Sequence, residues 1–146
     1  TVIDAFNKLK YPLVIIGIGP DYGRLLKMAG DNIIILGFVD DSLLPTYYTN
    51  CRAFIMPQDE DFGLTPIEAM TFGKPVLALR SGGAIEIIEE GKNGEFFDSP
   101  IPEAIADGVR RLEENYIKYN HEYIITSTKK YSFKIFKENI LKEIMC

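Results

Sequence analysis

Short, β-branched apolar runs alternate with segments of helical periodicity along this chain. Leu13-Val14-Ile15-Ile16-Gly17-Ile18-Gly19 is apolar throughout and stops at Gly19-Pro20, which predicts a strand buried on both faces. Further strands are predicted at Ile33–Phe38, Ala53–Pro57 and Pro75–Leu79, with a shorter fifth, at a sheet edge, over Gly94–Asp98. Helix-sized segments lie between them: Asp21–Ala29 closing at Gly30, Ser42–Thr49, Thr65–Phe72 closing at Gly73, and Ala84–Glu90 closing at Gly91. A glycine just past a periodic segment takes the left-handed conformation cheaply and ends the helix. Strands alternating with helices imply right-handed crossovers and a parallel sheet covered on both faces.

The two ends read differently. Val2, Ala5, Phe6 and Leu9 fall on one helical face, and the alternation calls for a strand before that helix. The expectation is therefore that the true first strand precedes Thr1. Ile101, Ile105, Val109, Leu112 and Tyr116 make one late helical stripe, and Phe133, Phe136, Ile140 and Ile144 make another. Core packing is the favoured reading of both stripes, ahead of a binding role. No repeat, low-complexity tract or internal domain boundary is visible.

Composition narrows the classes. The 146 residues are 47% apolar and 25% charged, which suits one domain burying about two-thirds of its extended surface and argues against disorder. The longest apolar stretch is far shorter than the roughly 18 residues that cross a bilayer. No charged-then-apolar leader opens the chain, so no signal peptide is expected. Sixteen Lys and Arg against 21 Asp and Glu give a net charge of −5, a poor match for nucleic acid. Cys51 and Cys146 form no CxxC pair and read as reduced structural thiols of a cytoplasmic protein. His121 is the one histidine, which excludes a His-rich metal site.

Three loops carry candidate chemistry. Gly17-Ile18-Gly19-Pro20 ends the first strand, where doubly wound sheets bind ligands and where glycines let a backbone approach closely. A dinucleotide fingerprint needs a third glycine at position 22, which is Tyr22, although Asp40 stands near the place of a ribose-binding acid. A plain strand-to-helix turn explains this loop equally well. Gln58-Asp59-Glu60-Asp61-Phe62-Gly63 runs straight into Leu64-Thr65-Pro66-Ile67-Glu68-Ala69-Met70. Thr65-Pro66-Ile67-Glu68 has the form of a capping box, which accounts for Thr65, Pro66 and Glu68 without a ligand. It leaves three adjacent acids and Phe62-Gly63 unexplained. Carboxylates that take sugar hydroxyls beside helix amides that take phosphate would suit a sugar nucleotide, and solvated loop acids are the even alternative. Ser81-Gly82-Gly83-Ala84-Ile85-Glu86 repeats the small-residue-then-helix arrangement, and Gly82 and Gly83 could bring another set of N–H donors toward the same ligand crevice; a βα turn explains the loop alone, but three such loops on one sheet edge are harder to dismiss.

These residues resemble a known family. Glu60 and Glu68 have the Glu-x7-Glu spacing, set in Glu-Asp-Phe-Gly-Leu-x-x-x-Glu-Ala-Met and followed by Gly73-Lys74-Pro75-Val76. With the preceding Gly-x-Gly-Pro, Leu36-Gly37-Phe38-Val39 and Gly82-Gly83-x-x-Glu86, the chain resembles the C-terminal, nucleotide-sugar-binding domain of retaining GT-B glycosyltransferases of family 4. The resemblance covers nearly the whole chain and is strongest to mannosyltransferase-like members in polysaccharide or O-antigen assembly. It implies a Rossmann-like α/β domain over residues 1–146, a parallel sheet flanked by helices, with its first strand missing. Glu60 would bind hydroxyls of the donor sugar and Glu68 the ribose, as the catalytic pair. The backbone at Phe62, Gly63, Leu64 and Thr65 would face sugar and diphosphate. Phe38 and Val39 would contact the base, Gly17, Gly19 and Pro20 would border the nucleotide, and Glu86 would shape the Gly82-Gly83 loop.

The resemblance also implies no metal or other cofactor, a nucleoside diphosphate sugar donor with GDP-mannose as the guess, and retention of configuration. An acceptor glycan or glycolipid would be held by an N-terminal domain that this chain lacks, as it lacks that family's Arg and Lys diphosphate clamp. The last helix would partly contact that other domain, and the parent protein could associate peripherally with a membrane. The isolated chain is expected to bind nucleotide weakly without turnover. Two rivals stand beside this reading: an NAD-dependent dehydrogenase domain resting on Gly17-x-Gly19 and Asp40, and a non-catalytic binding domain of the same fold.

Overall fold

The structure, a computed structural model, describes residues 1–144; Cys146, expected to be a reduced thiol, lies outside the described residues. The five strands among the described residues pair in parallel within two sheets. β1 (Leu13–Ile16) pairs with β2 (Ile33–Gly37), while β3 (Phe54–Met56), β4 (Val76–Leu79) and β5 (Gly94–Phe97) form a second sheet in that order. The mainly parallel sheet expected from the sequence is thus present in two pieces, flanked by helices.

Strand alternation explains the core. β4 is the middle strand of its sheet, and Val76, Leu77 and Ala78 are fully buried. Val76 and Ala78 point with Met56 and Phe96 into one cluster, closed by Ile67 and Met70 of α4 (Leu64–Thr71), Ile87 of α5 (Ala84–Ile87) and Ile124 of α7 (His121–Ser127). Leu77 and Phe97 point the other way, toward Ile3 and Phe6 of α1 (Val2–Leu9) and Ile105 and Leu112 of α6 (Pro102–Glu114). Each such side chain contributes roughly 1.5–3 kcal/mol by leaving water, so helices on both faces hold β4 in place.

Three expectations are corrected. β1 and β2 are covered on one face only: Ile33 is buried and Leu13, Ile15 and Ile35 are half-buried against the second cluster, whereas Val14, Ile16, Ile34 and Leu36 are exposed. The helix expected over residues 84–90 stops at Ile87, because Ile88 is extended and Glu90 bridges Gly94. The buried Asn93 holds that turn, accepting from the Glu89 N–H at 2.7 Å and donating to the Ile87 carbonyl at 3.2 Å. β5 stands at the edge of its sheet yet is buried along its whole length, since α6 packs over it. The Phe133–Ile144 stripe, read as core, lies on α8 (Phe133–Ile144), which has no buried residue; Phe133 is 77% exposed. The earlier stripe does pack, with Ile105 and Leu112 buried, although Ile101 is exposed. No helix among the described residues is long and apolar enough to cross a membrane.

Candidate functional site

The candidate residues stand in loops that follow the strands. After β1, Gly17 adopts φ +128°, a conformation side chains disfavour, and donates its N–H to the Gly37 carbonyl at 2.7 Å. That bond ties the Gly17–Pro20 loop to the end of β2. Gly19 accepts from Tyr22 N at the start of α2 (Tyr22–Met28). Phe38, after β2, is 73% exposed, Ile18, after β1, is likewise exposed, and Val39 is half-buried. Two apolar side chains in solvent at a strand end provide a surface on which a flat base can rest. Asp40 has a local role: its carboxylate accepts from the Ser42 N–H and hydroxyl and caps the turn at Asp41–Leu43. The Ser42 hydroxyl bond lowers its pKa from the ordinary carboxylate value.

After β3, Asp59, Glu60 and Asp61 are all exposed. Their side chains repel one another, but the backbone beneath them is anchored. The Glu60 carbonyl accepts from Gly83 N at 2.7 Å, and Cβ atoms on Gly82 or Gly83 would collide with the Asp59–Phe62 segment. The Gly82-Gly83 glycines therefore serve the packing of two loops, and the Gly83 amide, expected among a ligand's donors, is engaged within the protein. Phe62 meets the ring of Tyr131 edge-on at 6.1 Å. Gly63, at φ 81°, is the N-cap of α4.

This overturns the capping box. With Gly63 as the cap, Thr65 sits inside the first turn, and no side chain caps the helix. Glu68 is free of that duty: its Oε2 accepts from the Tyr48 hydroxyl at 3.0 Å, across from α3 (Leu44–Asn50). The first-turn amides of a helix lack intrahelical acceptors, and Pro66 has none to offer, so Gly63, Leu64 and Thr65 supply the donors here. They sit at the positive end of the helix dipole, beside the acidic loop.

Glu86 lies on α5 with an exposed side chain, and its carbonyl accepts from Lys130 Nζ at 3.2 Å and the Tyr131 hydroxyl at 3.0 Å. The structure thus brings together Glu60, Phe62, Gly63, Gly82, Gly83 and Glu86, with Glu68 one helical turn into α4. Gly17, Gly19, Pro20, Phe38 and Val39 stand on the other sheet, with no hydrogen bond to that group among the described residues. A hollow of about 430 Å³ between α1 and α6 and one of about 290 Å³ lined by Thr1, Ile15, Leu25, Pro57 and Pro100 are both elsewhere. Glu60 and Glu68 are both exposed. No local sequence pattern marks Tyr48, Lys130 or Tyr131, because they reach the site from distant elements.

The profile of the glycosyl transferases group 1 family matches residues 1–130. The chain belongs to this family. An uncharacterized glycosyltransferase of Methanocaldococcus jannaschii is 34% identical over 113 residues, 76% of this chain and 28% of the relative. A GDP-mannose-dependent alpha-(1-6)-phosphatidylinositol monomannoside mannosyltransferase of Mycobacterium tuberculosis is 33% identical over 113 residues, 68% of this chain and 29% of the relative. The fold is shared with a glycosyltransferase of Rickettsia africae, at a TM-score of 0.84 and 22% identity over 97% of this chain and 42% of that one, and with the Anabaena protein HepE, solved in complex with UDP-glucose, at a TM-score of 0.78 and 22% identity over 99% of this chain and 44% of that one. This group 1 glycosyl transferase chain spans less than a third of the two sequence relatives. Membership, together with the capping role of Asp40, sets aside the dehydrogenase reading.

Proposed function

We propose that this chain is the nucleotide-sugar-binding part of a retaining glycosyltransferase that moves a hexose, mannose by preference, to an acceptor hydroxyl. The observation that carries the reading is the Glu60 loop, bonded to Gly83 and delivered by left-handed Gly63 into the start of α4. A carboxylate for sugar hydroxyls and bare helix amides for phosphate are thereby fixed within one short segment. In this reading Glu60 takes donor-sugar hydroxyls, Glu68 takes the ribose, and the Gly63, Leu64 and Thr65 amides meet the diphosphate. The base rests on Phe38 and Val39, bordered by Gly17, Gly19 and Pro20.

Charge accumulates on the diphosphate as the glycosidic bond to it breaks. Preorganised N–H dipoles lower that barrier without reorganising, an effect often worth several kcal/mol. The reading requires no metal. With Glu60 and Glu68 both exposed, a second domain would hold the acceptor and complete the cleft, with an added strand joining the two sheets. This chain alone then binds nucleotide without turnover. The donor preference leans on the GDP-mannose-dependent relative, while the UDP-glucose complex of HepE keeps uridine donors in view.

The test is a melting-temperature screen of the 146-residue chain with UDP, GDP, ADP, NAD and the corresponding sugars, since a ligand that binds only the folded state raises stability by mass action. A rise with one nucleoside diphosphate, larger with its sugar, is expected. Protection by NAD alone would overturn the reading. Binding without transfer by a complete protein carrying both domains would return it to a non-catalytic module.

A further inference from the structure

We infer that Tyr48 is a positioning residue for nucleotide recognition, its hydroxyl fixing the Glu68 carboxylate so that the other oxygen faces the ribose. The inference rests on the proposed ribose-binding role of Glu68 and adds a residue to it.

Glu68 is exposed on α4. A solvated glutamate samples many rotamers, and freezing it on ligand binding removes affinity. Here one oxygen is already held: Oε2 accepts from the Tyr48 hydroxyl at 3.0 Å. The donor itself is rigid. Its ring stacks on Phe72 at a centroid distance of 5.5 Å and 24° between planes, and leans on Phe54 of β3 at 6.1 Å. Phe72 is the residue that ends α4. The tyrosine is thus clamped between the strand that delivers the acidic loop and the helix that carries Glu68. Phe54 or Phe72 alone would supply a ring contact; only the hydroxyl explains a link to Glu68. Oε1 has no partner among the described residues, which leaves its lone pairs for the vicinal hydroxyls of a ribose. The arrangement is a phenol that orients a carboxylate, which then accepts from the sugar.

Tyr48→Phe keeps both ring contacts and removes only the donor. The experiment measures binding of UDP and GDP, each beside its 2′,3′-dideoxy counterpart, to the wild-type chain, Tyr48→Phe and Glu68→Ala. Tyr48→Phe is expected to weaken the ribonucleotide about 3- to 10-fold, as loss of one preordered side chain implies. Affinity for the dideoxy nucleotide should be unchanged, and Glu68→Ala should show the same selective loss, larger. Equal weakening of both nucleotides by Tyr48→Phe would make Tyr48 a packing residue and overturn the inference. A selective loss in Glu68→Ala with none in Tyr48→Phe would overturn it while sparing the ribose role of Glu68. No effect of Glu68→Ala, or no binding of either ribonucleotide to wild type, would remove the ribose role itself, and the inference with it.

Discussion

The N–H of Gly83 donates to the carbonyl of Glu60 at 2.7 Å, which makes the acidic loop and the second glycine loop one mechanical unit. A Cβ on Gly83 would lie 2.6 Å from the Phe62 carbonyl oxygen and 2.7 Å from that of Asp61. The backbone at Gly83 is right-handed helical, at φ −63°, so alanine suits its conformation and only the collision opposes it. Gly83→Ala should therefore lower stability by about 1–3 kcal/mol, the usual range for overpacking. It should also weaken nucleotide-sugar binding, since the Glu60 loop must move. Urea unfolding and calorimetry on the same variant check both; unchanged stability would mean that the loops are not in contact.

Glu95 is a carboxylate 3% exposed on β5, accepting from Arg111 Nη1 at 2.9 Å, Asn115 Nδ2 at 3.2 Å and the Tyr119 hydroxyl at 2.8 Å. It ties the end of α6 and the turn after it to the edge of the sheet. Glu95→Ala leaves the Tyr119 and Asn115 donors without an acceptor in a half-buried place, at about 1–3 kcal/mol for each orphaned group. Glu95→Gln keeps the shape and one acceptor oxygen and should lose less. Chemical denaturation of the two variants should rank them in that order.

Tyr48 and Tyr119 both have phenol pKa values pushed up, first by burial and then by their bonds to Glu68 and Glu95. Each therefore keeps its proton in the folded chain at pH values where the unfolded chain has lost it. Stability falls as pH rises past about 10, the ordinary tyrosine value, at no more than about 1.4 kcal/mol per pH unit for each group, less where solvent screens it. Below that pH the contribution is constant. The Tyr48→Phe, Tyr119→Phe double variant should flatten the decline between about pH 10 and 12. A double variant as steep as wild type would place the alkaline sensitivity elsewhere.

How far the sequence disclosed all this depends on the range of each interaction. The five strands are readable because β-branched runs and glycine punctuation act over a few residues. Fully buried β1 and β2 were a mistaken inference from composition: Val14, Ile16, Ile34 and Leu36 are as apolar as their covered neighbours, and only tertiary packing separates the faces. The capping box failed because left-handed Gly63 pre-empted Thr65 as the cap. The Tyr48–Glu68 bond spans twenty residues and two elements, and no local pattern announces it. Phe133–Ile144 shows the same limit in reverse, since helical periodicity reveals an apolar stripe without saying what covers it.

Phe133 and Phe136 on α8 are 77% and 58% exposed. Replacing both by serine removes little buried surface, so unfolding free energy should change by about 1 kcal/mol at most, ordinary for two exposed sites. Solubility of the 146-residue chain should rise, because contiguous apolar surface promotes self-association. Light scattering against protein concentration decides it, with unchanged scattering as the contrary outcome.

Glu60 offers the most direct probe of the donor. Its side chain is exposed and makes no hydrogen bond among the described residues, whereas its carbonyl carries the bond to Gly83. Glu60→Ala therefore leaves the loop anchor intact and should change stability by less than about 0.5 kcal/mol. Its effect should fall on the sugar alone. A carboxylate bonded to sugar hydroxyls contributes about 1.5–3 kcal/mol, which is roughly 10- to 150-fold in affinity. UDP-glucose or GDP-mannose, whichever the wild-type chain binds, should weaken by that factor, while the parent UDP or GDP binds as before. Titration calorimetry with the matched pair reads the difference directly. Equal binding of the sugar nucleotide by both proteins would detach Glu60 from the sugar and leave the acidic loop as a solvated turn.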